Sequence, residues 1–325
     1  MFEDLGLIGN LLILIAALAV LNQASNLTIN QSVKVAEAAR LGKTTVGFIL
    51  VAFSTSLPEL FVAIFAILKP ENVGVSIGNV LGSNIANICL VLGIIFVLMA
   101  LKFSDNAKFL PAMPKEETRG LYFALLVASV IPLTLLYIGS ASYLIGIILL
   151  VVFIYNIYQL SKTGNAMERP AFVEEKHELK KYVMIAVLGA AGVVASSYFI
   201  VETASYIALS VGVPKLVIGA TIVAIGTSLP ELVTSLDSIK KGHADLAIGS
   251  IVGSCFLNIT LILGITLIAA PFRVEITAFS ELIIFSLVAN NFLSFFLSNE
   301  KMGWREGAIF LSIYVLFLAT RVGLG

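Results

Sequence analysis

Long apolar runs, interrupted by short polar segments, extend along the whole chain. Several runs reach the ~20 mostly apolar residues that a helix needs to cross a hydrocarbon core about 30 Å thick. The first and sixth runs are longer than a perpendicular crossing requires and contain polar residues, so we expect those helices to tilt or to line protein. The pattern predicts ten helices, at roughly 5–36, 45–68, 73–101, 119–138, 141–161, 181–211, 216–239, 245–270, 277–298 and 303–321.

The composition narrows the class of protein. Hydrophobic residues make up 59% of the 325 residues and charged residues 12%, with a mean hydropathy of +1.02. These values exclude a soluble protein and predict an all-α, multi-pass protein of the cell membrane, with the lipid bilayer as its surroundings. The formal net charge is zero. The chain has neither a basic tract for nucleic acid nor a Cys/His cluster for zinc.

Two local features refine this class. Glu3 and Asp4 stand where a cleavable signal peptide would carry Lys or Arg, so the first run is expected to stay in the protein as a span. Cys89 and Cys255 both fall inside apolar runs. They are expected to pack as small hydrophobic residues and give no disulfide framework.

A charged connector near the middle of the chain separates five predicted helices from five. We therefore divide the chain into a first half, 1–161, a cytoplasmic linker, 162–180, and a second half, 181–325. The connector is too short for a folded regulatory domain. It is interpreted as a solvated linker, with a small regulatory or partner-binding role as the alternative.

The distribution of basic residues predicts the orientation. If ten helices cross in alternation, 16 of the 20 Lys and Arg residues fall in connectors on one side and 4 on the other. Basic residues concentrate on the cytoplasmic side of membrane proteins, so both termini are expected outside the cytoplasm. With a wrong number of crossings the basic residues would be distributed more evenly between the two sides, so their uneven distribution also supports ten crossings.

One unit of sequence occurs twice. VAFSTSLPEL at 51–60 aligns with VAIGTSLPEL at 223–232 at an offset of 172, and after a one-residue slip the match continues at an offset of 171. Because each copy belongs to a half with five helices, an odd number, the second half must enter the membrane from the opposite side. The fold is thus predicted as two inverted five-helix repeats, an arrangement that indicates a transporter with its site near the midplane. The duplicated units occupy about 45–101 and 216–270.

Each repeat carries an acid in the middle of a predicted span. Glu59 and Glu231 have no Lys or Arg at their depth in any span. An ionised carboxylate in the bilayer interior is costly, so a bound cation or a proton must neutralise it. Pro58 and Pro230 cannot donate to the carbonyls four residues back, which opens the backbone beside the acid. Helical spacing sets further residues below each acid: Ala52, Thr55 and Ser56 in one copy, and Ala224, Thr227 and Ser228 in the other.

The second helix of each repeat adds a polar stripe at i, i+4 and i+8 spacing, interpreted as site lining, with interhelical contact as the alternative. Together with the acids it forms an all-oxygen environment, which suits a hard cation such as Ca²⁺ and not a soft transition metal. Two negative charges match one Ca²⁺ or two monovalent ions, which favours mutually exclusive binding and hence antiport. The stripes are Asn79, Ser83 and Asn87 in the first half, and Ser250, Ser254 and Asn258 in the second.

The paired motifs resemble those of a known family. STSLPEL and GTSLPEL, followed by GNVLGSNIANICLVLG at 78–93 and GSIVGSCFLNITLILG at 249–264, resemble the two α-repeats of the calcium/cation antiporter superfamily, in its sodium/calcium exchanger branch. The resemblance covers essentially the whole chain and implies a 5+5 inverted fold around a central ion cluster.

The resemblance also implies roles for individual residues. Glu59 and Glu231 would be shared Ca²⁺ and Na⁺ ligands, and Asn87 and Asn258 would lie at the middle of the cluster. The remaining residues would supply carbonyl oxygens for Ca²⁺ or belong to flanking Na⁺ sites. The carbonyls are those of Thr55 and Thr227 for Ca²⁺, and the Na⁺ sites would comprise the carbonyls of Ala52 and Ala224 with Ser56, Ser228, Ser83 and Ser254.

Two positions depart from the family pattern. Ser54 stands where the first motif usually has Gly, and sodium-using members often have an aspartate at one of the two central amide positions, where this chain has Asn87 and Asn258. Paired asparagines also occur in the proton-coupled branch. That branch typically lacks the Thr-Ser pair before Leu-Pro-Glu, which this chain keeps in both halves, so Na⁺ coupling is favoured over H⁺ coupling.

The resulting expectation is a secondary antiporter that moves Ca²⁺ out of the cytoplasm against inward Na⁺ by alternating access. The resemblance suggests that the first and sixth helices rock against the other eight. The chain has no phosphate-binding loop, so neither a nucleotide nor another cofactor is expected, and a monomeric state is left open. The alternatives are an H⁺/Ca²⁺ antiporter, a passive cation channel and an intramembrane hydrolase. The inverted repeat disfavours the channel, and the lack of a second acid, His or zinc set beside each glutamate disfavours the enzyme.

Overall fold

The protein is represented here by a computed structural model that is almost entirely helical. Apolar side chains favour helices at membrane depth because a helix satisfies its own backbone hydrogen bonds. The structure describes residues 2, 5–38, 53–102, 115–138, 140–164, 179–240, 244–270, 272–273, 276–298 and 303–322.

We number the helices α1 to α10 along the described residues, and treat a helix with an internal break or a π-helical turn as one element. Four of them are interrupted in this way. The uninterrupted helices are α1 Gly6–Ala38, α4 Lys115–Ile138, α5 Tyr143–Gly164, α6 Leu179–Val211, α9 Ile276–Ser298 and α10 Trp304–Val322. The interrupted ones are α2 (Phe53–Thr55, Leu57–Ile67), α3 (Val73–Ile85, Ala86–Val91, Leu92–Lys102), α7 (Lys215–Ile218, Gly219–Val223, Ala224–Thr227, Leu229–Lys240) and α8 (Ala244–Leu257, Asn258–Ile262, Leu263–Ala269).

Each predicted helical run corresponds to one of these helices. The ends agree to within four residues, except that the start of the second run lies outside the described residues. Seven helices in the described part are long and apolar enough to cross a membrane. The structure adds one small pair of antiparallel strands, β1 Ser140–Ala141 and β2 Phe272–Arg273, which joins the α4–α5 connector to the α8–α9 connector.

The buried apolar side chains form two clusters. The larger one fills the space between α3, α4, α8, α9 and α10, with Phe279, Phe310 and Phe317 among its fully buried members. The second joins α1 and α6 to α2 and α7, and includes Leu14 and Ile200. The two longest helices, each of 33 residues, therefore share a packing unit that is distinct from the larger cluster.

Glycines allow α3 and α7 to meet backbone against backbone. A Cβ atom on Gly82 would lie 2.3 Å from the carbonyl oxygen of Ala220, and one on Gly78 would lie 2.0 Å from that of Leu216. The reverse contact involves Gly219, where a Cβ would lie 2.4 Å from the carbonyl oxygen of Val75. Small residues commonly permit such close crossings in membranes. This crossing brings the two repeats into contact.

One ion pair ties α6 to the connector between α2 and α3. Lys69 Nζ donates to Glu202 Oε1 at 2.5 Å, and this bond raises the pKa of Lys69 above its usual value. The lysine side chain is 46% exposed and that of Glu202 is 14% exposed. An ion pair so open to solvent contributes little to stability, about 0 to 1 kcal/mol. Glu202 thus has a basic partner, in contrast to Glu59 and Glu231.

Candidate cation-binding site

The two motif helices break at corresponding residues and in the same way. Ser56 has φ −85° and ψ 4°, and Ser228 has φ −84° and ψ 1°. The prolines two residues later lack the N–H that a continuous helix would need. Each helix then resumes, because the N–H of Leu60 donates to the carbonyl of Ser56 and that of Leu232 to the carbonyl of Ser228. The duplicated sequence therefore produces a duplicated bend.

The two central asparagines each lie in a π-helical turn. In α3 the N–H of Leu92 donates to the carbonyl of Asn87, and in α8 the N–H of Leu263 donates to that of Asn258, both across five residues. A π-helical turn of this kind is rare and often occurs at functional sites. The sequence spacing predicted the polar stripe but did not predict these turns.

The two acids lie buried close to each other. Both Glu59 and Glu231 are fully inaccessible to solvent, and a threonine of the opposite motif interacts with each carboxylate. Neither carboxylate has a Lys or Arg partner in the described part of the chain. Two uncompensated carboxylates at this depth require a positive charge, which a cation or protons would provide.

Ser254 connects the halves beside the second acid. Its hydroxyl donates to Glu231 Oε1 at 3.1 Å and lies 2.9 Å from the hydroxyl of Ser56. Asn87 Nδ2 donates to the same hydroxyl at 3.4 Å. Residues from both repeats therefore meet at one hydroxyl group.

Ser83 occupies the corresponding position beside the first acid. Its hydroxyl donates to Glu59 Oε1 at 3.5 Å and lies 3.3 Å from the hydroxyl of Thr227. Thr227 Oγ1 in turn donates to Asn79 Oδ1 at 3.0 Å. Asn79 belongs to the predicted polar stripe, and its amide oxygen accepts a hydrogen bond from a threonine of the other repeat.

Thr55 and Thr227 each interact with the acid of the opposite half. Thr227 interacts with the carboxylate of Glu59, and Thr55 interacts with that of Glu231. Helical spacing within one repeat had set each threonine below its own glutamate. The crossing of the two halves brings each threonine to the acid of the other repeat.

Four buried oxygens in this network accept no hydrogen bond from any described residue. Such a group is costly to bury unless something else satisfies it. All four are acceptors, and two of them belong to the buried acids. They are Glu59 Oε2, Glu231 Oε2, Asn87 Oδ1 and Asn258 Oδ1.

The other predicted site residues differ in their surroundings. Ser228 is buried, and its hydroxyl has no hydrogen-bond partner among the described residues. The carbonyl of Ala224 accepts from the N–H of Ser228 at 3.0 Å and from the hydroxyl of Thr227 at 3.3 Å. Ala52 lies outside the described residues, so its predicted role stays a prediction.

Asn84 belongs to the network, but the sequence reasoning did not select it. Its amide nitrogen donates to the carbonyl of Cys255 at 3.3 Å, and its amide oxygen accepts from Asn258 Nδ2 at 3.0 Å. Asn84 lies one residue away from the stripe that contains Ser83, and therefore on a different helix face. The sequence feature that could have indicated Asn84 is an amide side chain within an otherwise apolar helix.

Comparison with known proteins identifies the family. The family model described as sodium/calcium exchanger protein matches residues 9–161 and 181–323. The chain belongs to the sodium/calcium exchanger family. This confirms the resemblance that the two motifs indicated, and it makes the chain a member of a transporter family, not an enzyme family.

Individual members of the family show the extent of the similarity. The sodium/calcium exchanger MaX1 of Methanosarcina acetivorans is 29% identical, over 95% of this chain and 97% of its own. The Ca²⁺/H⁺ antiporter ChaA of Bacillus subtilis is 28% identical, over 83% of this chain and 81% of its own. A structure of the sodium-calcium exchanger NCX_Mj has a TM-score of 0.67 and 26% identity, over 97% of this chain and 99% of that one.

Proposed function

We propose that this exchanger-family protein moves Ca²⁺ out of the cytoplasm in exchange for Na⁺, at one site shared by Glu59 and Glu231. The observation that carries the proposal is the set of four buried acceptor oxygens without a partner among the described residues, two of them on the uncompensated acids. Ca²⁺ takes six to eight oxygen ligands. The four oxygens would supply part of that shell, and the carbonyls of Thr55 and Thr227 would add to it.

The charge of the site accounts for exchange. Two carboxylates are neutralised by one Ca²⁺ or by two monovalent cations, and binding both sets together would leave excess positive charge in a low-dielectric interior. Mutually exclusive binding follows. If the protein changes between its two conformations only when both carboxylates are neutralised, it must carry one kind of ion in each direction. The result is exchange of Ca²⁺ for monovalent cations.

The hydroxyl groups favour Na⁺ as the coupling ion. Those of Ser56, Ser83 and Ser254 are hydrogen-bonded within the network, and that of Ser228 is buried. Hydroxyl and carbonyl oxygens are suitable ligands for a small hard cation. We assign Ser56, Ser83, Ser228 and Ser254, with the carbonyls of Ala52 and Ala224, to flanking Na⁺ sites. Proton coupling is the second candidate, favoured by the paired amides Asn87 and Asn258 and by the similarity to a Ca²⁺/H⁺ antiporter.

We further infer that all ten helices cross the membrane, with the second half inverted. In this topology the α2–α3, α4–α5, α6–α7 and α8–α9 connectors lie on the outer side, together with both termini. Two contacts support it: Lys215 Nζ donates to Asn72 Oδ1 at 2.7 Å, and β1 pairs with β2. Each joins two connectors assigned to the same side.

Contacts at the opposite ends of the helices support the same topology. The hydroxyl of Tyr122, early in α4, lies 2.8 Å from that of Ser298 at the end of α9. Lys34, late in α1, lies over the ring of Tyr182 in α6, 5.2 Å from its centre. These contacts join helix ends assigned to the cytoplasmic side, as alternating crossings require.

The packing of α1 supports a rocking mechanism. We propose that α1 and α6 move together against the other eight helices, because they pack closely at Gly189 and Gly192 and share the second apolar cluster. A Cβ on Gly226 would lie 2.1 Å from Leu18 Cδ2 of α1. Gly226 is two residues before the bend in α7, so a movement of α1 would reach the bend directly.

Ion gradients across reconstituted vesicles test the proposed function. We expect purified protein in Na⁺-loaded liposomes, diluted into Na⁺-free medium, to take up ⁴⁵Ca²⁺ several-fold faster than liposomes with equal Na⁺ on both sides. Liposomes with an outward H⁺ gradient and no Na⁺ serve as the comparison. Uptake driven only by the H⁺ gradient would establish the second candidate instead. Uptake that is independent of both gradients would indicate a channel, and its complete absence would refute antiport.

A further inference from the structure

Asn84 lies at the junction of the two repeats. It is 1% exposed, and both ends of its amide are engaged by the second half of the chain. Its nitrogen donates to the backbone carbonyl of Cys255 at 3.3 Å, and its oxygen accepts from Asn258 Nδ2 at 3.0 Å. A buried amide with its donor and its acceptor both engaged has one favourable orientation.

The contact between Asn84 and Asn258 has no exact counterpart in the other repeat, because the two repeats differ at this position. At the offset of 171 that relates the two polar stripes, Asn84 corresponds to Cys255. The two residues contact each other: the Cys255 thiol also points to the carbonyl of Asn84, at 3.9 Å. Only the first half supplies an amide here. Asn258 therefore has an amide as its partner, whereas Asn87 interacts with the thiol of Cys255 and donates to the hydroxyl of Ser254.

The hydrogen bond to Asn84 determines which atom Asn258 leaves open. With its Nδ2 held by Asn84, Asn258 has its Oδ1 without a partner among the described residues. If the amide of Asn258 were reversed, its oxygen would face the oxygen of Asn84 and its NH₂ group would take the open position. An NH₂ group cannot coordinate a cation.

We propose that Asn84 is a positioning residue that keeps the amide oxygen of Asn258 available to the transported cation. The inference rests on the proposed function, because it assigns Asn258 Oδ1 to the cation-binding network. Asn84 itself does not touch the ion in this scheme. Its side chain acts through Asn258, and its amide is oriented by the bond to the carbonyl of Cys255.

The same contact disfavours a carboxylate at position 258. A carboxylate there would place an oxygen against the oxygen of Asn84, so the Asn84 amide would have to rotate. After rotation its oxygen would face the carbonyl of Cys255 and its donor bond would be lost. The orientation seen here therefore favours an amide over a carboxylate at position 258.

Direct binding of ⁴⁵Ca²⁺ to purified full-length protein tests the inference. Asn84→Leu removes the acceptor while approximately keeping the size of the side chain. We expect it to weaken Ca²⁺ binding about tenfold, as the loss of one well-oriented ligand oxygen would. Asn84→Asp keeps an oxygen for Asn258 Nδ2, so we expect its Ca²⁺ affinity to stay within about threefold of the original or to increase.

Asn290→Leu is the matched control for general loss of structure. Asn290 is also 1% exposed, and its Nδ2 donates to Ser129 Oγ at 2.8 Å, in the contact between α9 and α4. Both leucine variants are expected to lower the melting temperature, but only Asn84→Leu should weaken Ca²⁺ binding. Unchanged binding in Asn84→Leu, equal weakening in Asn84→Asp, or equal weakening in Asn290→Leu would each overturn the inference. Failure of the unmodified protein to bind Ca²⁺ would instead refute the proposed function.

Discussion

Glu59→Gln and Glu231→Gln are each expected to abolish Ca²⁺ exchange. Glutamine keeps the size of the side chain but removes one of the two negative charges that a divalent ion requires in this buried site. The loss of a charged ligand at low dielectric should cost about 3 kcal/mol or more, which is at least about a hundredfold in affinity. The measurement is Na⁺-driven ⁴⁵Ca²⁺ uptake into proteoliposomes, with the amount of reconstituted protein determined for each variant.

Glu202→Gln provides the matched control for the two glutamine variants. Glu202 is also an acid within a long helix, but it pairs with Lys69 in the α2–α3 connector. We expect this variant to keep uptake within a few-fold of the unmodified protein, because a partly exposed ion pair contributes little. Full activity in either Glu59→Gln or Glu231→Gln would contradict the assignment of these acids to the site.

Gly82→Ala is expected to destabilise the protein severely. The added Cβ would lie 2.3 Å from the carbonyl oxygen and 2.4 Å from the Cα of Ala220, and these backbone atoms cannot move aside as a flexible side chain could. Overpacking commonly costs about 1–3 kcal/mol, and a backbone-to-backbone clash should reach or exceed the upper value. The thermal unfolding of purified protein in detergent measures the effect.

The control for this substitution is Gly120→Ala. Gly120 also lies in a helix, but an added Cβ there meets no atom within 4 Å. Since alanine has the higher helix propensity, we expect Gly120→Ala to leave stability unchanged or to increase it by up to about 1 kcal/mol. If Gly82→Ala unfolded at the same temperature as Gly120→Ala, the close crossing of α3 and α7 would be wrong.

The sequence predicted the helices well because membrane thickness constrains the length of each apolar run. The two acids were equally accessible to sequence reasoning, since a carboxylate without a basic partner in such a run is costly and this one occurs twice. The bend at each Leu-Pro-Glu motif followed from the missing N–H of proline. Ten crossings and the inverted relation of the halves rest on the charge split and the repeat, and are now supported by the contacts between connectors.

What sequence reasoning missed depends on contacts between the halves. The reciprocal threonine contacts arise only when α2 meets α7, and no spacing within one repeat reveals them. Asn84 lay off the polar stripe, and its partner Asn258 is 174 residues away. The π-helical turns at Asn87 and Asn258 have no recognised sequence pattern. The β1–β2 pair is two residues long on each side, too short for an alternating pattern to predict.

The most direct test of the central claim follows both ions in the same vesicles. Proteoliposomes loaded with ²²Na⁺ are diluted into Na⁺-free medium, and ²²Na⁺ release is measured before and after Ca²⁺ is added outside. The account predicts that external Ca²⁺ accelerates ²²Na⁺ release, that ⁴⁵Ca²⁺ enters in a fixed proportion to it, and that Glu231→Gln abolishes both. Entry of ⁴⁵Ca²⁺ without accelerated ²²Na⁺ release would contradict Na⁺/Ca²⁺ exchange at this site.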